Sequence, residues 1–158
     1  MRPPGLTISL HAGPRVALRP LFHLADDSSL AIDRSIDLGV VHVCSIGGEV
    51  VAHAQIVQGQ SAEEWELKSL AVDARHRRQG IGARLVQVSL AFARERGAKR
   101  MVVGTATADL DNLRFYQRLG FRMARIERDA FDVAAGYPEG LAVDGVPVRD
   151  RAWLELVL

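Results

Sequence analysis

Arg75-His76-Arg77-Arg78-Gln79-Gly80-Ile81-Gly82-Ala83 is the stretch that decides how this chain is read. It follows an apolar run at residues 65–72 with the composition of a strand. It opens a segment, residues 80–96, in which Ile81, Leu85, Val88 and Phe92 recur at helical spacing and predict a core-facing stripe. Arginines and glycines between a strand and a helix suit an anion. The first helical turn presents N–H groups without intrahelical partners and the positive end of the helix dipole, and glycine lets the anion reach the backbone. Flanking arginines add bidentate donors, so pyrophosphate is the natural ligand. Two nucleotide motifs fail here: G-x-G-x-x-G needs glycine where Leu85 stands, and the Gly-Lys-Ser/Thr of a P-loop is absent.

Outward from the loop, Gly97 is placed to end the helix and residues 100–105 form the next strand, giving a strand-helix-strand unit expected to be parallel and right-handed. Upstream, residues 6–10 alternate like a short strand, and residues 20–36 are helical with a break at Asp26-Asp27-Ser28-Ser29 that can cap a second short helix. Valine-rich residues 40–45 and 49–57 predict a hairpin through Gly47-Gly48. Downstream come a short helix at residues 110–119, a strand at 121–128, and a hairpin through Asp144-Gly145 whose second arm runs over 146–158. Paired strands at both ends around one crossover predict a mixed α/β sheet in a single domain spanning residues 1–158.

Twenty Lys and Arg against nineteen Asp and Glu leave a net charge of +1, too little global field for nucleic acid or an anionic membrane. The one cysteine, Cys44, lies in an apolar run and reads as a buried structural thiol. Residues 1–5 open without an apolar leader region and no stretch approaches the roughly 20 apolar residues of a membrane span, so a soluble, cytoplasmic protein is expected. The five histidines show no metal-ligand spacing and no calcium-loop pattern occurs, so no metal is expected.

Residues 77–82 resemble the Q/R-x-x-G-x-G/A motif of the GNAT family of N-acetyltransferases. Phe115-Tyr116-Gln117-Arg118-Leu119-Gly120-Phe121 resembles the family's second signature, YxxLGF, in the right order and at the right spacing. The resemblance covers roughly residues 40–128. It implies an α/β (α+β) fold: a mixed, mostly antiparallel sheet of six or seven strands, splayed between the fourth and fifth so that acetyl-CoA, the co-substrate, wedges into the gap. It implies that Arg77, Arg78, Gln79, Gly80, Gly82 and Ala83 cradle the pyrophosphate, while Ile81, in the same binding loop, faces the core. Leu70, Ala71 and Val72 correspond to the strand that pairs with the pantetheine arm, with an N–H of Leu70 or Ala71 polarising the thioester carbonyl. Tyr116 matches the tyrosine that protonates the departing thiolate, although a tyrosine packed in the core has the same spacing. Where the family often has asparagine on this helix the chain has Asp109, and Asn112 is the nearest substitute for that cofactor contact.

A protonated amine must lose a proton before it attacks a thioester. Strand alternation puts Glu66, Lys68, Leu70 and Val72 on one face, and Glu66 stands eleven residues before Arg77, a spacing that resembles the catalytic glutamate of the family's histone-modifying branch. Glu66 or a water is the candidate base. Asp129, Asp132 and Glu139 are candidates for attracting a cationic amine. The reading is therefore an acetyl-CoA-dependent N-acetyltransferase that acts by direct attack in a ternary complex. A small-molecule amine is favoured, a protein amine stays open, and the alternative is a non-catalytic acyl-CoA-binding module. Transfer to charged tRNA conflicts with the net charge. A homodimer is possible, for which residues 153–158 are the only apolar contact on offer, and a core strand is their simpler role.

Overall fold

The computed structural model describes residues 4–158, so the first three residues of the expected leaderless N-terminus lie outside it. Seven strands form one sheet in the order β1-β2-β3-β4-β5-β9-β6. They are β1 Leu6–Leu10, β2 Val40–Ile46, β3 Glu49–Gln58, β4 Glu64–Val72, β5 Arg100–Ala106, β6 Arg122–Glu127 and β9 Arg151–Val157, and a separate small ribbon pairs β7 Ala142–Val143 with β8 Val146–Pro147. Among the described residues only β4 and β5 pair in parallel, and every other neighbour is antiparallel. This is the mixed, mostly antiparallel α/β sheet that the GNAT resemblance implies.

Two helical layers cover the sheet. α3 (Ile81–Glu95) and α4 (Leu110–Arg118) join Ala52, Ala54, Ile56, Leu67, Met101, Val103, Leu154 and their neighbours in the larger core. On the opposite face, α1 (Arg19–Ala25) and α2 (Ser29–Ser35) contribute Phe22 and Ile32 to a second cluster with Val41 and Val43. The break between α1 and α2 falls where the sequence puts it, because the Ser28 hydroxyl accepts from Ala31 N–H at 3.0 Å and caps α2. α3 ends in two bonds, Ala98 N–H to Ala93 O and Gly97 N–H to Arg94 O, each 3.0 Å, with Gly97 left-handed at φ +84.

Three expectations need correction. The stripe of α3 that meets the sheet is Ile81, Leu85, Val86, Ser89, Leu90 and Ala93, whereas Val88 is 37% exposed. The true period of 3.6 residues carries the contact face away from an unbroken seven-residue count. The second arm of the last hairpin is not one strand: β8 stops at Pro147, and β9 begins at Arg151 to fill the slot between β5 and β6. With both its edges paired, β9 is a core strand, not an edge free to pair with a second chain. Finally, Glu66 and Lys68 do not share a face with Leu70 and Val72. The β3–β4 register passes from Gln55↔Ser69 to Ile56↔Leu67, so Lys68 is bulged out of the ladder and the alternation inverts there. Trp65, Leu67, Leu70 and Val72 accordingly all reach the α3 core.

Candidate active site

The bulge coincides with a parting of strands. β4 and β5 pair only from Glu64↔Arg100 to Leu67↔Val103, although β4 continues to Val72 and β5 to Ala106. The rest of β4 therefore lines an open gap. Asp73 N–H bonds Val51 O at 2.8 Å, which sets the phase of the β3–β4 ladder. In that phase Ala71 exchanges bonds with His53, while Leu70 and Val72 turn their peptide groups toward the gap. Of the two N–H groups expected to polarise a carbonyl, the one at Leu70 faces the right way and the one at Ala71 is consumed by β3.

At the end of β4 the loop is set by its own side chains. Asp73 accepts from Arg75 N–H at 2.9 Å, and the Arg75 guanidinium binds Asp73 and Glu49 at 2.9 Å each, which holds the Asp73 carboxyl down at about 2. Arg75 is thereby neutralised, and the cations left for a ligand are Arg77 and Arg78. Arg77 Nε donates to Val72 O at 3.0 Å, and Arg78 is exposed in the left-handed region at φ +60, with no ion pair among the described residues. Gly80 caps α3 at φ +76, a conformation that costs most side chains about 1–2 kcal/mol, and Gln79 beside it is exposed. The helix N-terminus at Ile81, Gly82 and Ala83 opens beside Val72: a Cβ at Gly82 would stand 3.7 Å from the Val72 side chain and 3.5 Å from Phe115. Ile81 is 1% exposed, so only its N–H can serve an anion. Donors, dipole and charge fit a pyrophosphate and the gap fits an extended arm, as acetyl-CoA requires.

The second signature lies across the gap. Asp109 departs from the family pattern with a structural reason: its carboxylate caps α4, accepting from Asn112 N–H at 2.9 Å. The Asn112 side chain donates to Thr105 Oγ1 at 3.3 Å and lines the cavity. Tyr116 is 6% exposed, packed edge-on against Phe115 and Phe121, and also lines the cavity. Burial, reinforced by the Asp109 charge, pushes its phenol pKa well above the usual tyrosine value.

The cavity, about 220 Å³, passes through the sheet at the splay. Tyr116 and Asn112 lie on the α4 side; on the α1 side are Glu66, Lys68, Ser69, Phe22 and the α1–α2 turn. Glu66 is 3.6 Å from Lys68 Nζ. Under Ser69, His53 is fully buried, stacked on Phe22 at 4.3 Å, with Nε2 2.7 Å from Ser69 Oγ. The segment after β6 roofs this side. Ser28 Oγ donates to Ala135 O at 2.8 Å, a Cβ on Gly136 would stand 2.5 Å from Ser28 Oγ, and Tyr137 is buried beside Phe131. The carboxylates in the cavity are Glu66, Asp26, Asp27 and Asp109. Asp129, Asp132 and Glu139 lie outside it: Asp132 accepts from Ala135 N–H and Asp129 faces Arg149. Sequence reading missed Asp26, Asp27, Tyr137, Arg151 and Trp153, because they come from separate segments and follow no common spacing.

A family model described as the acetyltransferase (GNAT) family matches residues 15–121. The chain is 28% identical over 153 residues to an uncharacterized N-acetyltransferase, YvbK, of Bacillus subtilis (strain 168), covering 97% of each chain. Among solved structures it is similar to a GNAT family acetyltransferase from Elizabethkingia anophelis with acetyl-CoA bound, at 28% identity and TM-score 0.88 over 98% of this chain and 99% of that one. It is likewise similar to a Bacillus subtilis acetyltransferase in complex with CoA, at 27% identity and TM-score 0.87 over 97% and 99%. Splayed strands, a glycine-capped helix facing the gap, and these matches agree: the chain belongs to the GNAT acetyltransferase family and is an N-acyltransferase whose co-substrate is acetyl-CoA.

Proposed function

We propose that residues 1–158 act as one domain that transfers an acetyl group to a small primary amine by direct attack in a ternary complex. The observation that carries this reading is the cavity of about 220 Å³ through the splay, which joins the gap beside Leu70, Asn112 and Tyr116 to a roofed chamber on the other face. A roofed chamber suits a small acceptor better than an extended peptide, because the segment docked on Ser28 covers the path along the sheet.

Acetyl-CoA supplies the activated thioester. Arg77, Arg78, Gln79 and the N–H groups of residues 80–83 hold its pyrophosphate, Asn112 contacts its arm, and the main chain of residues 70–72 aligns it. Leu70 N–H stabilises negative charge on the carbonyl oxygen. Glu66, or a water, takes the proton that the amine releases as the C–N bond forms. Tyr116 gives its proton to sulfur as the C–S bond breaks; its phenol is protonated at neutral pH, and burial raises its pKa further.

Thiol release from acetyl-CoA against polyamines, aminoglycosides, amino acids and short peptides tests the proposal. Acceptor-dependent release that Tyr116→Phe slows about 10²-fold or more supports it, with Glu66→Gln deciding between carboxylate and water as base. Turnover confined to peptides would remove the small-amine reading. Undiminished turnover in Tyr116→Phe would remove the phenol as acid.

A further inference from the structure

One cation in the acceptor chamber is held ready and left with spare donors. Arg151 and Trp153 point from β9 to the chamber side of the sheet, with Gly104 facing Trp153 across the β5–β9 ladder. A Cβ on Gly104 would stand 2.6 Å from Arg151 Cδ and 3.2 Å from the Trp153 ring, so the missing side chain lets the arginine stem lie flat over β5. The guanidinium sits between two rings, 4.8 Å from the Phe131 centroid and 5.5 Å from that of Trp153. Its Nη1 donates to Glu127 Oε2 at 3.2 Å, and Trp153 Nε1 donates to the same oxygen at 2.8 Å, which fixes both side chains. A guanidinium has five N–H donors. This one, with its side chain 25% exposed, makes only the Glu127 hydrogen bond among the described residues. Donors withdrawn from bulk water and turned to a cavity gain most from an oxygen that a ligand brings.

The carboxylates that share the chamber do not meet that demand. Asp26 accepts from Ser28 N–H at 2.9 Å, Asp109 caps α4, Glu66 faces Lys68, and Asp27 is exposed on the α1–α2 turn. We propose that Arg151 is a specificity-determining residue that receives a carboxylate or carbonyl oxygen of the acceptor. The amine acetylated here then carries such an oxygen beside an apolar or aromatic group, as an amino acid or its amide does. The aromatic walls formed by Phe22, Phe131, Tyr137 and Trp153 accommodate that second group. This inference rests on the small-amine reading and narrows it.

Free phenylalanine, its amide and phenethylamine form a matched set of probes. Wild-type kcat/KM is expected to be at least tenfold higher for phenylalanine and its amide than for phenethylamine, a preference of about 1.4 kcal/mol. Arg151→Met removes the preference by raising KM for the first two, leaves kcat in place, and leaves phenethylamine kinetics unchanged; Arg151→Lys restores part of it. Gly104→Ala, which displaces the stem without altering the guanidinium, weakens the same two substrates. Phenethylamine turned over as well as phenylalanine by wild type overturns the inference while acetyl transfer stands. So does an equal loss on all three probes in Arg151→Met, which marks a structural role. Calorimetry of N-acetylphenylalanine against N-acetylphenethylamine on the CoA-loaded protein separates the two proposals. A tenfold preference for the acid without turnover of any probe keeps the oxygen subsite and discards the small-amine reading, whereas equal affinity discards the subsite.

Discussion

Replacing His53 with Gln should flatten the acid side of this protein's stability curve. His53 is fully buried, and burial lowers its pKa from 6.5 to about 3. The unfolded chain binds a proton at this residue near pH 6.5, while the folded chain refuses it until near pH 3. Between those values the unfolded state holds more protons, so stability rises with pH across the window and is lost as pH falls from 6.5 toward 3. Integrated from pH 7 to pH 5, one such group costs the folded state about 2 kcal/mol. For a domain of this size that is a drop of roughly 4–8 °C in Tm. Glutamine does not titrate and keeps an amide donor that can reach Ser69, the partner of His53 Nε2 at 2.7 Å. Urea unfolding of both proteins at pH 7 and pH 5 measures the effect. His42, whose pKa burial and the Arg96 charge also lower, titrates in both proteins and cancels. The variant should lose about 2 kcal/mol less than wild type between the two pH values. An identical loss, or an imidazole that titrates near pH 6.5 in the folded protein by NMR, refutes the reasoning.

Leu85→Ala should destabilise by about 2–5 kcal/mol and Val88→Ala by less than about 1, a contrast that calorimetric melting can read, because the first is fully buried and the second is 37% exposed. Burial raises the pKa of Tyr116, the acid proposed for the leaving-group proton, further above neutral pH. The tyrosine-dependent fall in kcat should therefore appear only above about pH 10, the ordinary tyrosine value, and a fall below it would contradict the assignment. Arg78→Ala should raise KM for acetyl-CoA several-fold and shallow its salt dependence with Tm unchanged, since Arg78 is exposed and makes no ion pair among the described residues; steady-state kinetics from low to high salt checks this.

Much of the candidate site was legible because the half assigned to the cofactor is local. The anion loop, the helix behind it and the tyrosine signature are contiguous segments, and their helical and strand periods survive folding. Asp109 shows the limit of motif matching: it breaks the family pattern, yet its carboxylate has a plain local task as the cap of α4. Glu66 shows the limit of alternation. Period-two counting assigned it the face of Leu70 and Val72, and the bulge at Lys68 reversed the count, a change set by the partner strand through the step between Gln55 and Ile56.

By itself the sequence determined that a strand, an anion-binding turn and an amphipathic helix follow one another, and that paired strands flank them. Turn chemistry, capping and hydrophobic period act over a few residues and need no knowledge of the rest. Only the tertiary structure decided where β4 and β5 part, that β9 lies between β5 and β6, and that one cavity joins the two faces. It also decided that the chamber is roofed, through a bond from Ser28 to Ala135 that spans 107 positions, and that Gly104 leaves space for Arg151. Such contacts join segments whose separation no local pattern records. The half of the site proposed to hold the cofactor is thus written in the chain, and the half proposed to select the acceptor exists only once the sheet has closed around it.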